Sequence, residues 1–89
     1  MTTADVEIIN KLGLHARAAA KFVTLASKYK SEVYLSKEQH QVNGKSIMGV
    51  MMLAASQGTT LTLQVNGPDE EQASKELIDL INNRFGEDE

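Results

Sequence analysis

Hydrophobic and polar positions alternate most cleanly in TTLTLQV, where Leu61, Leu63 and Val65 share one face and Thr60, Thr62 and Gln64 the other. A period of two is that of a strand with one face in the core and one in water. Weaker versions run over residues 6–9 and 33–35, and a third short strand reaches Val42 before Asn43-Gly44 ends it. Elsewhere the period lengthens. Ala19, Phe22, Val23 and Ala26 recur at helical spacing and predict an amphipathic helix from residue 16 to about 27. Ser46 starts a short helix through about residue 53. Ala73, Leu77, Leu80 and Ile81 form the apolar stripe of a last helix, with Pro68 suited to its first position and Gly86 to its C-terminal stop. Asp69, Glu70 and Glu71 suit the positive end of that helix dipole.

The expected order is β-α-β-β-α-β-α, without internal repeat or linker. Helices that cover one face of a sheet give an α+β layer, an open-faced sandwich whose other face stays wet. At 89 residues the chain is one domain, 1–89. Folding at this size buries about 60–70% of the unfolded surface, enough for a modest core without staples.

Composition changes the picture in two respects. The absence of cysteine excludes disulfides and Cys-based metal or redox centres. No apolar run nears the roughly 18 residues of a membrane span, and MTTADVEI lacks the basic and apolar regions of a signal peptide. The expectation is a soluble, cytoplasmic protein with no membrane insertion. Charge is uneven beneath a net −3: residues 10–46 hold seven basic and two acidic side chains, and residues 47–89 two basic and eight acidic. Clustered Lys and Arg steer anionic groups or acidic partners.

Within the basic part lies GLHARAAAKF, residues 13–22. A helix start more often carries Ser, Thr, Asp or Asn than histidine, and Arg17 in the first turn opposes the dipole. Both choices make sense if an anion arrives. At the N-cap, His15 lies next to the unpaired backbone N–H groups of Ala16, Arg17 and Ala18, where donors and dipole favour negative charge. The same dipole disfavours imidazolium, which leaves a neutral ring with a nucleophilic nitrogen. A phosphoryl group on that nitrogen would meet the helix N–H groups and Arg17. No Asp or Glu lies between Glu7 and Glu32, so no carboxylate is close in sequence to orient the ring as a general base requires.

The second constellation is NGKSIMGVMML. Gly44-Lys45-Ser46 resembles the end of a P-loop, but the glycine required five positions earlier is Gln39, so the P-loop is rejected. Ser46 reads instead as a helix N-cap. The helix behind it is apolar nearly all round; Val50 and Leu53 suit the core, whereas Ile47, Met48 and Met51 cannot all be hidden. Exposed apolar patches mark binding surfaces, and flexible Met suits several partners. Phosphorylating Ser46 would place about −1.5 to −2 charge beside that patch, a negative switch on docking. His40, with polar neighbours near a turn, is assigned no role.

GLHAR before an alanine-rich helix, with VNGKSIMGVMMLAAS some thirty residues on and LQVNGPDE before the last helix, closely resembles the HPr family over about residues 4–85. These are histidine phosphocarriers of the bacterial phosphoenolpyruvate-dependent phosphotransferase system. The resemblance implies a four-stranded antiparallel sheet covered by three helices. It implies a carrier, not an enzyme, in which His15 takes a phosphoryl group from enzyme I on Nδ1 and passes it to enzyme II A domains. Arg17 would stabilise the phosphoryl group, with the backbone of Ala16 and Arg17 beside it. Ser46 would be the target of an HPr kinase/phosphorylase, and Ala20, Ile47, Met48 and Met51 would serve partner docking. No cofactor, metal or nucleic acid is implied, and a monomer is expected because partners reach one histidine in turn. One departure is Ala18, where family members usually have proline.

Other readings meet less support. VEIINKLGLHAR and the ending FGEDE resemble a nitrogen-related branch that signals to regulators. A nucleic-acid module could use the basic stretch, but its only aromatics are Phe22, Tyr29 and Tyr34, and base stacking needs exposed rings. A non-catalytic interaction module would use Ser46 and leave His15 idle.

Overall fold

A computed structural model describes residues 1–89 throughout. Four strands, β1 (Thr2–Glu7), β2 (Glu32–Lys37), β3 (His40–Asn43) and β4 (Thr60–Asn66), are interspersed with helices α1 (Ala16–Ala26), α2 (Ile47–Met52) and α3 (Glu70–Asn82). A 3-10 turn, Arg84–Gly86, follows α3. The sheet order is β1-β4-β2-β3, and every neighbouring pair is antiparallel.

The strand with the clearest alternation, β4, lies inside the sheet. Its inward residues set the rows: Leu63 stands opposite Ala4 and Leu35, Leu61 opposite Val6, and Val65 opposite Val33. A slip of one residue would turn all three to water, so the apolar pattern itself selects this register. α3 lies on β1 and β4, and α1 packs between α2 and α3. Phe22 of α1, Val50 of α2 and Leu77 and Ile81 of α3 close the same core over the sheet. On the far face Thr60 is exposed and Thr62 and Gln64 are half-buried. The fold is the expected α+β open-faced sandwich.

Three local expectations are corrected. β1 runs from Thr2 to Glu7, not over residues 6–9: backbone pairing from Thr2↔Val65 to Glu7↔Thr60 carries it, with Thr2, Ala4 and Val6 turned inward and Thr3, Asp5 and Glu7 exposed. Pro68 lies outside α3: Asp69 is the N-cap and makes no cap bond to its own helix. The Asp69 carboxylate instead accepts the N–H groups of Lys30 at 2.9 Å and Ser31 at 3.0 Å, together with the Ser31 hydroxyl, and so ties the end of the α1–β2 loop to the start of α3. Gly86 does not stop α3, which ends at Asn82. Arg84 and Phe85, both at φ 54°, turn the chain first and send the Phe85 ring into the core, where it is wholly buried.

Candidate functional site

The site is built on a clamped loop. Gly13 has φ +68°, a left-handed conformation that favours glycine, and a Cβ there would lie 2.5 Å from the carbonyl oxygen of Ala55. That carbonyl accepts the Leu14 N–H at 2.8 Å, and the Leu14 side chain is buried. The chain thus reaches His15 from a fixed direction. His15 is the N-cap of α1, with extended backbone (φ −74°, ψ 178°), and its carbonyl accepts the Ala19 N–H at 2.9 Å.

The imidazole makes no cap bond. The N–H groups of Ala16, Arg17 and Ala18 therefore keep their donors free, as the sequence anticipated. The Arg17 side chain is exposed and makes no ion pair. Ala18 has a fully buried methyl group, and the N–H that proline would have removed is a third free donor.

One feature was not legible at the histidine itself. Glu87, seventy-two residues away in sequence, places Oε2 against His15 Nε2. Its other oxygen accepts Asn10 Nδ2–H at 2.9 Å, and the same fully buried Asn10 amide donates to the Gly13 carbonyl at 2.9 Å. Burial pushes the Glu87 carboxyl up, but hydrogen bonds from His15 and Asn10, with the nearby positive charge of Lys21, outweigh it and hold the group below the usual carboxylate range. Lys21 Nζ donates to the Phe85 carbonyl at 2.7 Å, and the Lys11 N–H donates to the Glu89 carbonyl at 3.0 Å. The acidic ending is thus laid along the basic rim, and an open basin is formed between Lys11, His15, Arg17 and Lys21 on one side and Glu87–Glu89 on the other. The available signal was the opposite charge of the two stretches; nothing in either stretch marked which carboxylate would meet the ring.

Ser46 is the N-cap of α2, and its Oγ accepts the Gly49 N–H at 3.1 Å. Val50 and Leu53 are buried, whereas Ile47, Met48 and Met51 are exposed and so is Met52. Ala20, on α1, is half-buried. Leu12, 68% exposed beside the basin, went unremarked in the sequence because an isolated leucine has no period. His40 is exposed at the β2–β3 turn. No group of three or more His, Cys, Asp or Glu side chains is placed to hold a metal ion, and no helix is long and apolar enough to cross a membrane.

A ring nitrogen, free backbone donors and an unpaired guanidinium at one helix start are suited to accept an anion, and comparison with known proteins identifies the family. The PTS-HPr family model, described as "PTS HPr component phosphorylation site", matches residues 2–83. The phosphocarrier protein HPr of Neisseria meningitidis serogroup A is 57% identical, with 100% of both chains covered. The crystal structure of HPr-C-His from Thermoanaerobacter tengcongensis superposes with a TM-score of 0.96 at 50% identity, covering 100% of both chains. An HPr dimer structure from the same organism gives 0.79 at 52% identity, over 98% of this chain and 100% of that one. With sequence, fold and helix start in accord, the chain belongs to the HPr family, the phosphocarriers of the phosphotransferase system, whose members carry phosphoryl groups rather than catalyse a reaction.

Proposed function

We propose that residues 1–89 act as one phosphocarrier domain in which His15 accepts a phosphoryl group from enzyme I and passes it to enzyme II A domains. The supporting observation is the combination of a partly exposed His15 at the N-cap with three unpaired N–H groups behind it. Charge arriving on the ring meets donors already in place, so little reorganisation accompanies transfer. Arg17 holds the phosphoryl oxygens with an exposed, planar fork of N–H donors, and the backbone N–H groups of Ala16 and Arg17 line the cradle.

Membership of the family brings contact with other proteins of the phosphotransferase system. The docking surface proposed here is Ile47, Met48 and Met51 of α2 with Ala20 of α1, an apolar patch on helices that pack together. Ser46 is the proposed regulatory site, modified by an HPr kinase/phosphorylase; its phosphate would stand at the start of α2 against that patch. The working form is a cytoplasmic monomer, because both partners need the same ring in turn.

The test is phosphorus NMR after incubation with enzyme I, magnesium and phosphoenolpyruvate, run in parallel on His15→Ala. An acid-labile phosphohistidine signal from the native protein, absent from the variant, is the expected result. Active enzyme I that leaves the native protein unmodified would remove the proposal.

A further inference from the structure

From the contact between Glu87 and His15, we infer that Glu87 is a positioning residue for the phosphoryl acceptor, holding the proton on Nε2 so that Nδ1 is the free nucleophile. The inference rests on the reading of His15 as that acceptor. A carboxylate only accepts hydrogen bonds, so its contact with Nε2 requires an Nε2–H. The neutral tautomer bearing that proton has its lone pair on Nδ1, and Nδ1 makes no hydrogen bond.

Glu87 is itself held. Asn10 Nδ2 bonds its second oxygen and the Gly13 carbonyl, linking Glu87 to the loop that delivers His15. Two residues earlier the buried Phe85 ring pins the backbone, and Lys21 grips the Phe85 carbonyl. The Glu87 side chain is only 15% exposed, against 28% for His15. A carboxylate fixed on both sides can orient a ring, whereas a solvated one cannot.

The step balances without a further reactant. The Nδ1 lone pair forms the new N–P bond as the bond from phosphorus to the donor's leaving group breaks, and that electron pair leaves with the donor. Nδ1 carries no proton to lose, and Nε2 keeps its own. The ring becomes positively charged, and Glu87 faces that charge through the retained Nε2–H, as the carboxylate of a catalytic triad supports its imidazolium. On transfer to the next acceptor the N–P bond breaks and its pair returns to Nδ1.

The experiment compares native protein, Glu87→Gln and Glu87→Ala by nitrogen-15 NMR of the His15 ring and by the rate of phosphorylation by enzyme I and phosphoenolpyruvate, with thermal unfolding as a check on the fold. Glutamine keeps an acceptor oxygen and loses the charge; alanine loses both. The expected result is a ring held as the Nε2–H tautomer in the native protein and largely so in Glu87→Gln. In Glu87→Ala the tautomers should mix and the rate fall by about tenfold, the scale on which carboxylates that orient a ligand histidine act. Partial rescue by glutamine separates positioning from a general loss of structure. Unchanged ring resonances with a native rate in folded Glu87→Ala would overturn the inference, as would faster phosphorylation, which would make Glu87 a competitor for the cradle. The ring spectra need no enzyme I. A native protein that shows the held tautomer but takes no phosphoryl group would defeat the acceptor reading, and with it the inference.

Discussion

Replacing Gly13 by alanine tests the clamp that aims His15, and Gly58 supplies the control. Both residues have positive φ, +68° and +91°, so alanine at either meets left-handed strain of about 1–2 kcal/mol. They differ in space. A Cβ at Gly58 has no atom within 4 Å, whereas at Gly13 it would stand 2.5 Å from Ala55 O and 2.9 Å from Ser56 Cα, both backbone atoms. Relief requires the loop to move off the α2–β4 connection, which strains the 2.8 Å bond from Leu14 N–H to Ala55 O, an interaction worth about 0.5–1.5 kcal/mol. Forced repacking adds about 1–3 kcal/mol. Gly58→Ala should therefore cost about 1 kcal/mol and Gly13→Ala about 3 kcal/mol. In urea unfolding followed by circular dichroism, a slope near 1 kcal/mol/M separates the midpoints by about 2 M. Two variants that unfold together would refute the claim that backbone contact, over and above φ, requires glycine at position 13.

Three further outcomes are expected. Phe85→Ala, which empties a fully buried site, should cost about 3–5 kcal/mol in the same assay and should also free the ending that carries Glu87, visible as a change in the His15 ring resonances. Ser46→Ala removes the Oγ that accepts the Gly49 N–H and should lower stability by about 1 kcal/mol, leaving transfer to His15 intact in a phosphorylation assay. Acid should destabilise the protein through carboxylates held low in the folded state: Asp69, by the Ser31 hydroxyl first and then the Lys30 N–H, and Glu87, where His15 and Asn10 outweigh burial. Their contribution is complete above the unfolded value of about 4 and fades as pH falls through the lower folded values. The urea midpoint should drop below about pH 4, and Asp69→Asn should flatten that drop.

Regular elements and their order were written in local period. Alternation in 60–65 marked a strand, helical spacing marked α1 and α3, and the N-caps His15 and Ser46 were placed correctly because capping depends on residues within one turn. Exposure along α2 followed from having more apolar side chains than a short helix can bury. These properties belong to the sequence because each is set by neighbours a few positions away.

The tertiary structure decided what distant segments do to one another. Asp69 looked like a dipole partner for α3 and proved to bind backbone across the domain, at Lys30 and Ser31. The acidic ending FGEDE shows in sequence only a point of resemblance to a nitrogen-related branch, with no contact assigned to it. Its fate turned on Phe85, a single aromatic beyond the last helical stripe, whose burial pulls the chain back over α1. Only then does Glu87 meet His15 and does the buried Asn10 find its carboxylate. A helix start can be read from four residues, but the carboxylate that orients its histidine is chosen by where the core has room for a ring.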